Sequence, residues 1–186
     1  MTTCFSDKPT LVGELVVLRP THPADVDVLA GIIEHDREVA VLTGSVHGPD
    51  DPGRTWTREE LQETYARWAV ADDRLVLAVE DRASGEVVGE VVLNGLDEGN
   101  RSCGFRTFLG AAGRGRGLGT EATRLVVEHG LTTMGLHRIQ LEVYDFNPRA
   151  RRVYEKVGFV HEGTGRDALR FDDGWVDVHW MAVLGD

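Results

Sequence analysis

The chain has 186 residues, 41% of them hydrophobic, and a formal net charge of −11 at pH 7. That length suits one folded core and is short for two, so a single domain over residues 1–186 is expected, structured from about residue 10 to residue 184. The acidic balance argues against general attraction to nucleic acid or anionic lipid, and no apolar run nears the ~18 residues of a membrane span.

The opening "MTTCFSDKPT" has neither a basic leader nor an apolar stretch, and Cys4 and Cys103 are too few for a disulfide framework or a four-cysteine zinc site. A cytoplasmic protein without a metal is expected. "ELVVLRP" (14–20) reads as a short β-branched strand closed by Pro20, and "HPADVDVLAGIIEH" (22–35) as a helix with apolar residues at 26, 29, 32 and 33. Residues 43–57, rich in Gly and Pro and without periodicity, read as a loop open to motion, with a second helix near 57–71. "RLVLAVE" (74–80) and "EVVGEVVLNGL" (86–96) form a hairpin through "DRASG", and "CGFRTFLG" (103–110) continues the meander.

The pattern then changes. Leu118, Ala122, Leu125 and Val126 mark one face of a helix, and "HRIQLEVY" (137–144) puts Ile139, Leu141 and Val143 on one side of a strand. Strands flanking a helix of this length normally lie parallel. "GAAGRGRGLGTEA" (110–122) sits between the first strand and the helix, where unpaired N–H groups and the helix dipole favour an anion. Arg101, Arg106, Arg114 and Arg116 make this a local basic island in an acidic chain. Thr120 and Glu121 stand after the last glycine where a P-loop requires Lys and Ser or Thr. The dinucleotide spacing fails too, because its third glycine would fall on Leu118 or Thr120.

Arg114, Gly117 and Gly119 match the acetyl-coenzyme A loop of the GCN5-related N-acetyltransferases, and "NPRARRVYEKVGF" (147–159) resembles the same family's segment of Asn, a helix ending in Tyr, and a Gly-Phe step. "LVVLRPTHPADVDVL", "GFVHEG" and "DGWVDVHWMAVL" are similar to the branch with ribosomal-protein alanine and spermidine acetyltransferases. The resemblance covers most of the chain and is weak over 35–73. It implies an α+β (α/β) fold: a mixed, mostly antiparallel twisted sheet of six to seven strands, its central parallel pair splayed, flanked by about four helices.

The resemblance also implies acetyl-CoA as cosubstrate and no metal, with a primary amine attacking the thioester directly. Backbone N–H groups from about Arg116 to Thr120, including Gly117, Leu118 and Gly119, would hold the pyrophosphate with Arg114, Gly115 and Arg116. A bulged strand near Phe108 or Leu109 would supply an oxyanion donor. Asn147 would meet the pantetheine arm, although it is also a good helix N-cap. Tyr154 would protonate the departing thiolate, although Ala150, Val153, Tyr154 and Val157 also form an ordinary apolar helix face.

Relatives often carry Glu where this chain has Ser102, so the base is open, with Glu90, Glu142 and a water chain as candidates and Glu90 preferred. His129, His137 and Cys103 read as packing or surface residues. Glu34, Asp36, Glu38, Asp50 and Asp51 are expected to form an acidic wall for the amine, whether a peptide N-terminus, a polyamine or an aminoglycoside-like antibiotic. A homodimer is among the expected assemblies; nucleic acid and membrane are not among the partners. The alternatives are a non-catalytic acyl-CoA sensor, for which Ser102 is the best support, and an antibiotic-modifying acetyltransferase.

Overall fold

A computed structural model describes residues 5–48 and 50–185; Cys4 lies outside them. The described residues form one eight-stranded sheet in the order β1-β2-β3-β4-β5-β6-β8-β7, with β1 Leu11–Val12, β2 Val16–Pro20, β3 Arg74–Asp81, β4 Glu86–Asp97, β5 Ser102–Leu109, β6 Arg138–Tyr144, β7 Val160–Phe171 and β8 Gly174–Leu184. Neighbouring strands are antiparallel except β5 and β6. The two-residue β1 brings the strand count to eight. Five α-helices flank the sheet: α1 Pro23–His35, α2 Arg37–Leu42, α3 Arg58–Val70, α4 Leu118–Glu128 and α5 Pro148–Val157. The six-residue α2 is the helix beyond the expected four, too short to show a period in sequence.

Local side-chain chemistry starts α1, α3 and α5. The His22 ring accepts the Ala24 N–H while Asp25 accepts the His22 N–H, opening α1 beside Pro23. Thr57 and Glu60 make the reciprocal pair at α3, at 3.1 and 2.8 Å. Asn147 accepts the Ala150 N–H ahead of Pro148, and Gly158, at φ +110°, ends α5.

The sheet buries both faces. On one, α4 and α5 cover Leu77, Val91, Leu93, Phe105, Ile139 and Met181. On the other, α1 and α3 cover Val76 and Val92 with Val26, Leu29, Leu61 and Tyr65. Burial of such side chains stabilises by about 1.5–3 kcal/mol each. Glu121 of α4 reaches across the chain, its carboxylate accepting the N–H groups of Glu14, Leu15 and Val16 at 2.9, 2.7 and 2.8 Å. It holds the β1–β2 turn against the helix. The 43–57 segment is tied down rather than free: His47 accepts the Asp172 N–H through its carbonyl, and its ring meets the Arg170 carbonyl at 2.9 Å. Val46 within it is 2% exposed.

Candidate active site

The parallel pair is short. Ser102, Cys103 and Gly104 of β5 face Arg138, Ile139 and Gln140 of β6, and the pairing stops there. Beyond it, Phe105–Leu109 stay paired with β4 and Leu141–Tyr144 with β8, so the sheet opens into a cleft between its central strands. The cleft has a volume of about 1190 Å³.

The irregularity near the cleft is in β4 rather than β5. The β3 register shifts between Val79 and Glu80, which face Gly89 and Val87, leaving Val88 as the extra residue. Gly89 is required there, because a Cβ would lie 2.1 Å from the Phe108 carbonyl. β5 keeps an unbroken register with β4 from Gly104 to Leu109. The Gly110 N–H bonds the Val88 carbonyl at 2.8 Å, so alternation points the backbone groups of Phe108 and Arg106 at β4 and those of Leu109, Thr107 and Phe105 at the opening. Of the two expected oxyanion donors, Leu109 therefore presents its N–H to the cleft, whereas Phe108 contributes its ring to the wall.

The glycine loop lies at one lip. Gly115, Gly117, Gly119 and Thr120 line the cleft together with Arg114 and Asn147. Gly117 is the N-cap of α4 at φ +86°, a left-handed conformation that side chains resist. A Cβ on Gly115 would meet nothing within 4 Å, which leaves the outer surface of the loop open. The first-turn N–H groups of Leu118 and Gly119 have no partner within a helix, while that of Thr120 reaches the Gly117 carbonyl at 3.1 Å. The Leu118 side chain is 2% exposed and belongs to the core, so only its backbone faces outward.

The two loop arginines are placed differently from the sequence expectation. Arg114 pairs with Asp36 at 2.8 Å and Glu38 at 3.2 Å, and donates to the Leu109 carbonyl at 3.2 Å. Arg116 turns away from the cleft to the buried Asp81, at 2.6 Å, and to the Ala112 carbonyl. Acids from elements remote in sequence thus neutralise much of the basic island. For Asp36, burial opposes ionisation, but bonds from Arg114 and from the Val39 and Ala111 N–H groups outweigh it and hold its carboxyl below the ordinary range.

Tyr154 and Glu90 approach from opposite faces. The Tyr154 ring packs edge-on to Phe105 at 5.9 Å and beside Phe159 at 5.8 Å. Its hydroxyl has no hydrogen-bond partner among the described residues, and the side chain borders the cleft. Burial pushes its pKa up to about 12, which keeps the hydroxyl protonated at neutral pH. Glu90 stands cross-strand from Phe108 on the α1/α3 face, 2% exposed, and accepts the Tyr65 hydroxyl at 2.6 Å. Burial raises its pKa, with the Tyr65 bond and the nearby Arg106 acting in the opposite direction. Such a carboxyl is poised to take a proton. Tyr65 gives no sign of this role in the sequence, where it reads only as an apolar position of α3.

The remaining candidates separate. Ser102 lies in the closed part of the pair, at the base of the cleft. Cys103 is buried, and burial pushes its thiol up to about 12, which leaves it without thiolate character. Glu142 lines the cleft from β6 and accepts the Trp180 indole N–H at 3.4 Å. The acidic wall does not form: none of Glu34, Asp36, Glu38, Asp50 and Asp51 lines the cleft, and Asp50 and Asp51 border a separate small hollow with Arg170 and Asp172.

A splayed parallel pair with a glycine-rich helix N-terminus at its lip defines an acyltransferase scaffold. The profile of the Acetyltransferase (GNAT) domain matches residues 16–160, and the chain belongs to that family. It is 27% identical to the probable N-acetyltransferase YjcK of Bacillus subtilis over 94% of this chain and 96% of the relative. It is 29% identical to the spermidine N(1)-acetyltransferase of Vibrio cholerae over 68% and 72%. A crystal structure of the V. cholerae spermidine N-acetyltransferase with CoA and spermine superposes with a TM-score of 0.80 at 24% identity, covering 92% of this chain and 96% of that one. The chain is an acetyltransferase.

Proposed function

We propose that this chain moves an acetyl group from acetyl-CoA to a primary amine by direct attack on the thioester, with residues 1–186 acting as one catalytic domain. The observation that carries the reading is the parting of β5 from β6 after Gly104 and Gln140, with the glycine loop at its lip and Tyr154 on its wall. The residues fit the cosubstrate: open space over Gly115 admits phosphate to the backbone, and the strand groups turned to the opening can pair with an extended arm.

Gly115, Gly117, Leu118, Gly119 and Thr120 hold the pyrophosphate through the loop and first-turn backbone, with Arg114 as the adjacent charge. Arg116 supports the loop through Asp81. Asn147 caps α5 beside the arm. Acetyl-CoA supplies an activated acyl carbon and a thiolate leaving group. The Leu109 N–H faces the developing oxyanion, Glu90 accepts the amine proton, and Tyr154 donates to the departing sulfur.

A cytoplasmic homodimer goes with this reading. The dimer part is supported by Val160, Trp180 and Leu184, which share one face of the terminal hairpin at 66%, 45% and 56% exposure. Sedimentation of the purified chain tests it. The activity itself is tested by calorimetry with acetyl-CoA followed by thiol release in the presence of primary amines. Saturable binding with amine-dependent release is expected; absence of binding would overturn the proposal.

A further inference from the structure

The cleft has a second wall, on the α1/α3 face, that the chemistry above uses only through Glu90. Leu61, Tyr65 and Trp68 fall at i, i+4 and i+7 of α3 and form one stripe towards the sheet. Trp56, just before the helix, and Phe108 from β5 complete an apolar wall around the buried carboxyl. Tyr65 and Trp68 meet edge-on at 5.3 Å, so this wall is packed and preformed.

Most acids around it are already committed, Glu142 being the exception among the described residues that line the cleft. Asp36 and Glu38 bind Arg114, Glu38 also binds Arg149, and Glu162 binds Arg138. Asp51 accepts the His47 and Gly53 N–H groups at 2.6 and 2.8 Å. Arg54 lies 3.5 Å over the Trp56 ring and Arg74 lies 5.2 Å from that of Trp68. The aromatic wall is therefore bordered by Arg54 and by Arg74, the latter paired with Asp73, and Glu90 is the carboxyl within it, while Glu142 lines the cleft from β6. At this wall a polyamine would bring two or more ammonium groups to the one counter-charge of Glu90, with the Arg54 guanidinium at its edge.

On the acetyltransferase reading above, we infer that the acceptor is a single primary amine borne on an aromatic or bulky apolar body, and not a polyamine. The body stacks against Trp56, Trp68 and Phe108, while the amine is directed to Glu90. This divides the chain in specificity from the relative that is named for spermidine.

The test compares 2-phenylethylamine and tryptamine with spermidine at saturating acetyl-CoA, with thiol release as the readout. The aromatic amines should show a kcat/KM about ten-fold or more above that of spermidine. Trp56→Ala should raise KM for tryptamine by about ten-fold with acetyl-CoA affinity unchanged, and Trp56→Phe should restore most of it. Trp56 lies in a connecting segment, so these variants keep the helices intact. Equal or better use of spermidine would overturn the inference, as would an unchanged KM in Trp56→Ala. Acetyl-CoA binding with no release by either aromatic amine would overturn the acceptor class alone, whereas failure to bind acetyl-CoA would overturn the underlying function.

Discussion

Tyr154 carries a hydroxyl with no internal partner among the described residues, so its removal leaves no buried group unpaired. Tyr154→Phe should lower kcat by about ten-fold or more, as loss of a general acid does, with melting nearly unchanged; steady-state thiol release and a thermal melt measure the two. Glu90 behaves in the opposite way. Burial raises its folded pKa, so its neutral form fits the fold better. That advantage is complete below the ordinary glutamate value of about 4.3 and is lost as pH rises through the raised value. Glu90→Gln, which retains an acceptor for Tyr65, should melt higher than the parent at about pH 7, with the difference shrinking towards about pH 4. Activity of the variant should fall throughout, and the rising limb of the parent's pH–rate profile should lie above the usual carboxylate range.

At the scale of elements, α4 carries the loop proposed to hold pyrophosphate and also a brace. Glu121 binds three successive N–H groups of the β1–β2 turn, and Glu121→Ala should cost about 2 kcal/mol in denaturant unfolding, in the range of hydrogen bonds to a charged group. Gly117→Val forces a β-branched residue to φ +86° and closes the backbone to phosphate, so acetyl-CoA affinity should fall by about ten-fold or more in calorimetry. The β5–α4–β6 unit was legible in the sequence because the 3.6-residue period of Leu118, Ala122, Leu125 and Val126 sits beside the two-residue period of Ile139, Leu141 and Val143. That Tyr154 and Gly117 share one cleft was legible through a linked motif. Partners distant along the chain were not. Nothing local to Arg114 announces Asp36, nothing local to Glu121 announces Leu15, and the acids of 34–51 look like a binding wall until their internal partners are seen. The bulge lies at Val88 of β4 and not near Phe108 or Leu109, a matter of strand register that no local residue pattern announces.

In the whole molecule, the strands from β1 to β5 and those from β6 to β8 meet along three residue pairs, with the Arg101 carbonyl accepting the His137 and Arg138 N–H groups at their base. A ligand seated in the opening contacts both groups of strands. Acetyl-CoA at about 100 times its Kd should add about 2.7 kcal/mol of stability. Deuterium exchange at Phe105, Thr107 and Leu109 should slow with it, while that of β2 and β3 stays the same. The three pairs act as the spine of a book. Beyond them β5 runs five residues, Phe105–Leu109, a lever of about 16 Å at ~3.3 Å per residue. A turn of about 10° at the spine would shift the far lip by about 3 Å, the difference between a hydrogen bond and none. Reaction geometry in this enzyme is thus a question of leverage: the stiffness of Ser102, Cys103 and Gly104 against Arg138, Ile139 and Gln140 sets how closely the two sides of the cleft can meet.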